Sequence, residues 1–251
     1  MVQRVDIPRK NLEDLCKIYA EMSGGTVENT GCLTTYLNPA YFYRRNFITK
    51  PLEDDAVNIP VLIKEGLEKG NPDLTTFTKE LLDASTEEGF HAAGFDTLAV
   101  QQHGMIFDKG TPFDHAEDQN IRLINHNELS LWVDTMIEGF REENKPREDI
   151  VYSNLIKSPK VFYLAYVYEG QIIGTAMLYL TDDYPGITEV AVPNTYRGKG
   201  IATKLIVKIL QMVHEMDLPG AVLQASDMGM PVYEKLGFRK VSNLCTVCLR
   251  Q

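Results

Sequence analysis

The stretch VFYLAYVYEGQIIGTAMLYL, residues 161–180, is the strongest constraint on how this chain folds. Two runs rich in β-branched and aromatic residues meet at Glu169-Gly170, a pair suited to a tight turn, so they are read as a hairpin of two strands. A third strand, GITEVAV at 186–192, follows closely, and YRGKGIATKL at 196–205 then opens an amphipathic helix. In that helix Ile201, Leu205, Ile209, Met212, Val213 and Met216 fall on one face, and Leu218-Pro219-Gly220 stops it. AVLQAS at 221–226 reads as a buried strand, PVYEKLG at 231–237 as a short helix ended by Gly237, and FRKVSNLCTVCL at 238–249 as the last strand. Ahead of the hairpin, NELSLWVDTMIEGFR at 127–141 spaces its apolar residues as a helix does, with Asn127 as the expected N-cap. Hairpin strands first and a strand–helix–strand unit second predict an α/β chain, a mixed sheet with helices packed on it.

The first half carries weaker signals. LEDLCKIYAEM suggests a helix, TTYLNPAYFYRRNFI a strand region interrupted at Pro39, and IPVLIKEGLEKG a helix. A short strand is expected at 73–78 and a helix at 79–93. EGFHAAGFDTLAVQQHGMIF at 88–107 lines up with PVYEKLGFRKVSNLCTVCLR at 231–250, so that Gly94-Phe95 meets Gly237-Phe238. Two readings of residues 1–119 stay open: a degenerate second copy of the architecture at 120–251, or an unrelated, mostly helical extension that walls the substrate site. The polar segment 108–120 joins the halves, and His115 among its acids is read as solvated linker rather than as a metal ligand.

Composition narrows the function. The net charge of -10 argues against a general nucleic-acid or anionic-membrane binder, because such proteins carry a basic face. It favours cationic acceptors such as amines. No stretch approaches the roughly 20 apolar residues of a membrane span, and the amino terminus lacks an apolar signal core, so a cytoplasmic protein is expected. Cys245 and Cys248 form a CxxC, but they sit in a strand-like run where residues three apart point to opposite faces, and no second ligand pair completes a metal site. No metal is expected.

Residues 196–205 carry the chemistry. Glycines at a helix start let the backbone turn tightly, so that unpaired amides and the positive end of the helix dipole converge on an anion. Arg197 and Lys199 add charge at the rim. A Walker loop requires Gly-Lys followed by Ser or Thr, and the order here is Lys199-Gly200. A dinucleotide fingerprint requires a third glycine where Thr203 stands, and it opens with a strand–helix–strand unit rather than after a hairpin.

VPNTYRGKGIA at 192–202 resembles the acetyl-CoA loop of the GNAT N-acyltransferase superfamily, Arg/Gln-x-x-Gly-x-Gly/Ala, which reads here from Arg197 to Ala202. The family's Tyr-x-x-x-Gly-Phe corner is matched by Tyr233 to Phe238, after the expected strand. The resemblance covers residues 120–251 and implies the GNAT fold, a mixed and mostly antiparallel central sheet flanked by helices. A tandem pair follows if the first half is a copy. In that copy Phe90 stands at the position of Tyr233 and no glycine loop precedes it, so the cofactor site would be lost.

The resemblance further implies acetyl-CoA as cosubstrate and a primary amine, on a small molecule or a peptide, as acceptor, in a monomer or homodimer. The backbone of Arg197, Gly198, Lys199, Gly200, Ile201 and Ala202 would hold the pyrophosphate of CoA, with Thr203 next in the cofactor-binding set. Val190, Ala191 and Val192 would splay from the neighbouring strand and pair with the pantetheine arm. An amide of Ala191 or Val192 would face the thioester carbonyl as an oxyanion donor. Tyr233 would be the general acid for the departing thiolate, and Glu189 is the candidate general base. Strict alternation puts Glu189 on the face of Ala191, opposite Val190 and Val192. Asp182 and Asp183 are alternative attractors for the amine. The amine would attack the thioester directly in a ternary complex, with no enzyme nucleophile. A CoA-binding sensor without chemistry is the alternative, and a longer acyl group is compatible with the same motifs.

Overall fold

The span 161–180, with fifteen apolar or aromatic residues, does fold as a hairpin. In the computed structural model, β7 (Val161–Tyr168) and β8 (Gln171–Tyr179) pair antiparallel from Val161↔Tyr179 to Tyr168↔Gln171. Glu169 and Gly170 turn between them with φ of 49° and 79°. Positive φ at both central residues matches the strand twist, which is why Gly is favoured at the second. The structure describes residues 3–22, 24–29, 34–37, 47–49, 73–78, 84–92, 96–113, 116–140 and 149–250. The expected helix at 59–70, and also Pro39, His115 and Gly94-Phe95, lie outside them.

The chain divides into two compact units, Met1–Gly104 with Ser242–Gln251, and Met105–Val241. The divisions fall inside two long strands, β5 (Asp96–Asp108) and β11 (Arg239–Arg250), whereas the boundary expected at 119/120 followed the polar linker.

The first unit holds helix α1 (Ile7–Met22), strands β1 (Thr26–Asn29), β2 (Thr34–Leu37), β3 (Phe47–Thr49) and β4 (Asp73–Thr78), and helix α2 (Ala84–Ala92). β1, β2 and β3 pair antiparallel in turn, β3 joins β4 in parallel, and β4 pairs antiparallel with the 245–250 part of β11. β11 is therefore extended through both Cys245 and Cys248, opposite Thr78 and Thr75. Leu15, Cys16, Tyr19 and Ala20 form the buried stripe of α1, and Cys16 and Ala20 pack with Tyr36 and Leu244. Among its described residues this unit holds both strands and helices.

In the second unit the strand order is β5, β10 (Gly220–Ala225), β9 (Gly186–Ala191), β8, β7 and β6 (Ile121–Leu123), with only β9 and β10 shown parallel. Helices α3 (Leu129–Phe140), α4 (Asp149–Leu155), α5 (Ile201–Glu215) and α6 (Met230–Lys235) complete it. Both units are thus mixed, mostly antiparallel sheets flanked by helices. Strand β6 and helix α4 were not foreseen, since three residues and seven residues in polar surroundings carry little periodic signal.

The α3 face buries Trp132, Val133 and Met136. Trp132 lies edge-on to Tyr163 at 4.9 Å between ring centres, and its indole N–H donates to the Leu164 carbonyl at 2.8 Å. A buried indole needs such an acceptor, so the ring is fixed in register on β7 as well as packed. The start of α3 corrects the expected cap. Asn125, not Asn127, is the capping residue, because a 3-10 turn (His126–Glu128) precedes the α-helix. The Asn125 side chain accepts from the Asn127 amide at 2.9 Å, while the Glu128 carboxylate reaches back to the Asn125 amide at 3.1 Å.

Arg122, in β6, clamps that same carboxylate with two guanidinium nitrogens. These bonds, the arginine's foremost, hold Glu128 down at about 2 against an ordinary 4.5. A depressed carboxylate adds stability above its unfolded value and loses it as pH falls through the folded one. Glu128→Gln should therefore unfold at lower urea than the wild type at neutral pH, by roughly 1 kcal/mol. The two midpoints should converge as pH falls from 4.5 towards 2; urea titrations across that range check it.

Candidate active site

The site begins where β9 stops being an ordinary strand. Its parallel ladder with β10 consists of Val222↔Gly186 and Leu223↔Ile187. Beyond these, no ladder pair joins the two strands among the described residues, although β9 continues to Ala191 and β10 to Ala225. The ladder between the two strands thus covers only the first part of β9.

On its other side β9 stays paired to β8, but with one extra residue. Met177 pairs with Thr188 and Thr175 with Ala191, so a β-bulge sits between. Glu189 occupies it with φ of 54°, in the left-handed region that non-glycine residues rarely adopt. The bulge overturns the strict alternation expected of this strand. Thr188 and Ala191, three apart, now share a face, because their partners Met177 and Thr175 are two apart. The freed Glu189 carbonyl accepts from the Thr175 hydroxyl at 2.9 Å, and Thr175 is fully buried.

The Glu189 carboxylate accepts from the hydroxyl of Tyr152 at 3.0 Å. Tyr152 is buried on α4, with its ring centre 5.7 Å from Trp132 and 6.3 Å from Tyr163, so the donor is held by an aromatic cage. Sequence reasoning missed this residue. The signal was slight: Tyr152 and Leu155, one helical turn apart, both buried, within a connection that otherwise reads as polar. Asp182 and Asp183 lie exposed at the far end of β8, where Asp182 meets Lys160 at 3.8 Å.

From Ala191 the chain passes through a 3-10 turn (Asn194–Tyr196) into the glycine loop. Gly198 and Gly200 both take positive φ, 76° and 74°, and an added Cβ at either would meet nothing. Glycine is thus needed for conformation here, not for space. Such alternation of hand makes successive amides converge on an anion, and the first amides of α5, from Ile201 to Thr203, lack intrahelical acceptors. Gly200 caps the helix with no side-chain hydrogen bond competing for those amides. Gly174 on β8 seats the helix start closely: a Cβ there would lie 2.6 Å from Ile201 Cγ2.

The two basic residues differ in what they do. Lys199 is exposed, its ammonium 5.3 Å from the Tyr196 ring centre. Arg197 turns inward instead of lining the rim: Nε donates to the Val192 carbonyl at 2.9 Å and Nη2 to the Gly139 carbonyl at 2.7 Å.

Tyr233 stands on α6, a helix one and a half turns long with Pro231 in its first turn. Its ring meets Phe238 edge-on at 5.9 Å, so the Tyr-x-x-x-Gly-Phe corner is a packed unit. Val192 and Ile201 belong to the same hydrophobic cluster against which Val190, Ala202 and Tyr233 pack. The structure thereby brings together the end of β9, the glycine loop and the tyrosine corner. Burial pushes the Tyr233 phenol up to about 12, although the residue as a whole is only half-buried, so the desolvation falls on the hydroxyl end. Among the described residues no three His, Cys, Asp or Glu side chains gather as metal ligands, and no helix is long and apolar enough to cross a membrane.

A bulged strand thus feeds a glycine loop, with a desolvated tyrosine packed against the same cluster. Residues 133–247 match the family model of the acetyltransferase (GNAT) domain. The glucosamine 6-phosphate N-acetyltransferase of Trypanosoma brucei brucei is 26% identical over 136 residues, spanning 49% of this chain and 90% of that protein. Among solved structures, a GCN5-related N-acetyltransferase from Kribbella flavida superposes with a TM-score of 0.66 at 12% identity, covering 96% of this chain and 94% of that one. Another, from Sphaerobacter thermophilus, gives 0.58 at 15% identity over 86% and 76%. At such identities these two show the fold, and they show it over most of the chain. Residues 133–247 are thus similar to the GNAT acetyltransferase domain, and the chain is an acyltransferase.

The Thr175 hydroxyl offers a direct test of how the bulge is held. Thr175→Val keeps the shape and leaves the buried Glu189 carbonyl without its donor, so unfolding stability should fall by about 1–3 kcal/mol. Urea denaturation measures it.

Proposed function

We propose that this chain moves the acetyl group of acetyl-CoA to a primary amine, by direct attack within a ternary complex. The observation that carries the reading is the stretch of β9 beyond its ladder with β10 running into the amides of residues 198–203, with Tyr233 packed against the same cluster. That stretch suits the amide groups of a pantetheine arm, which would add to β9 as a strand does. The glycine loop suits the pyrophosphate. An amide of Ala191 or Val192 is the oxyanion donor of this reading. Arg197 enters the cofactor set through its backbone, its guanidinium being committed elsewhere.

The chemistry then balances simply. The ammonium gives one proton to Glu189, and the freed amine nitrogen bonds to the thioester carbon. The carbon–sulfur bond breaks as Tyr233 protonates the departing thiolate, and the second proton shed by the nitrogen restores the Tyr233 phenol. A phenol near 12 is a weak acid beside a thiol, but the thiolate formed in the same desolvated place is also made more basic. It stays protonated throughout the neutral range, so loss of activity from its ionisation should appear only towards pH 12.

The acceptor is a primary amine, and the amino sugar phosphate named for the trypanosomal relative belongs in the first panel tried. The decisive experiment follows free CoA release from acetyl-CoA across amino sugars, amino acids, polyamines and peptide amines. Stabilisation by acetyl-CoA without turnover on any amine would assign a CoA sensor, and neither response would remove the CoA reading altogether. Acetyl-CoA at a hundredfold excess over Kd should add about 2.7 kcal/mol of stability, seen as a raised melting temperature.

Tyr233→Phe should lower kcat by about 10²-fold while leaving the Kd for acetyl-CoA nearly unchanged. Equal loss in both would make Tyr233 a binding residue. Glu189→Gln should lower kcat by a similar factor if the carboxylate takes the proton.

A further inference from the structure

Helix α3 ends unusually close to the strand that bears the reacting carbonyl's amide. At Gly139, in the last turn of α3, an added Cβ would lie 2.8 Å from the Ala191 Cβ, 2.9 Å from the Val192 nitrogen and 3.2 Å from the Ala191 carbonyl carbon. The helix backbone therefore rests directly on the end of β9. Its final carbonyls have no partner within the helix, and a cation there also meets the negative end of the dipole. The Arg197 guanidinium supplies that cation, with Nη2 on the Gly139 carbonyl at 2.7 Å and Nε on the Val192 carbonyl at 2.9 Å. One planar group thus joins three pieces: the end of α3, the end of β9 and the first residue of the glycine loop.

We infer that Arg197 is a positioning residue, which fixes the Ala191–Val192 backbone against α3 and does not bind the cofactor's phosphates through its charge. The inference rests on the reading of the glycine loop as a CoA site. It assigns the arginine of the loop a different task from the amides beside it. The guanidinium fork spans two carbonyls at once, whereas an ammonium on a flexible stem holds one geometry poorly. Arg197→Lys keeps the charge and loses the fork. Gly139→Ala touches no charge and presses on the same backbone.

Three measurements separate the possibilities. Steady-state kinetics with acetyl-CoA and with S-acetylpantetheine, which has the same thioester and arm but no pyrophosphate, are run on wild type, Arg197→Lys and Arg197→Gln. A positioning residue predicts a loss in kcat of roughly tenfold, equal for the two donors, with KM for acetyl-CoA unchanged. Gly139→Ala should show the same split.

A loss in KM confined to acetyl-CoA, absent with S-acetylpantetheine, would overturn the inference and make Arg197 a phosphate ligand. A lowered melting temperature with unchanged kcat per folded molecule would overturn it as well, leaving a purely structural bond. Calorimetric titration with CoA supplies a readout independent of turnover. Unchanged CoA affinity in Arg197→Gln supports the inference, and tenfold weaker binding sinks it. A wild-type protein that neither binds CoA nor uses either donor overturns the proposed function first, and this role with it.

Discussion

Among the described residues the ladder between β9 and β10 ends at Leu223↔Ile187, short of the end of β9. A buried peptide group left unpaired costs as much as a lost hydrogen bond, so backbone beyond a ladder persists only where something else meets it. Water, a ligand arm or a side chain must do so. The rest of the second unit is arranged around that stretch. The bulge at Glu189 re-aims the strand, Thr175 takes up the carbonyl that the bulge releases, and Arg197 takes up the carbonyl at the strand's end. Side-chain donors thus tie down the carbonyls of Glu189 and Val192.

The local charges follow the same division of labour. The chain is strongly acidic, yet the basic side chains around the loop are largely engaged. Arg197 is bound to backbone, and Lys204, on the outer face of α5, meets Asp118 at 2.9 Å and Tyr166 at 3.3 Å. In the function proposed above, anion recognition in the loop falls to oriented backbone dipoles, with Lys199 beside them. Such dipoles cost no reorganisation when charge arrives.

Much of the second unit was legible in the sequence because its signals were periodic and local. The hairpin announced itself through Glu169-Gly170, α5 through a continuous apolar stripe, and the glycine loop through its place between strand and helix. Three things were not legible, each for a physical reason. The bulge adds one residue to an otherwise alternating run, and nothing in GITEVAV marks which residue is extra. Tyr152 lies on a helix of seven residues, too short for a stripe, and its link to Glu189 is made across 37 positions of chain. The seat of Gly139 against β9 carries no sequence signal, since close approach is a property of packing rather than of composition. In the first unit only the strands and helices of strong local pattern were found. Its strands β1 to β4 are short, and strands of three to six residues carry little periodic signal.

The φ of 54° at Glu189 has an evolutionary side. A side chain held in the left-handed region costs roughly 1 kcal/mol that glycine would not incur. Selection for thermal robustness alone would drift towards glycine or asparagine at 189, erasing the carboxylate while improving the fold. Position 189 is therefore a place where laboratory selection for heat resistance alone would favour the smaller residue, with the carboxylate and its bond to Tyr152 lost in exchange.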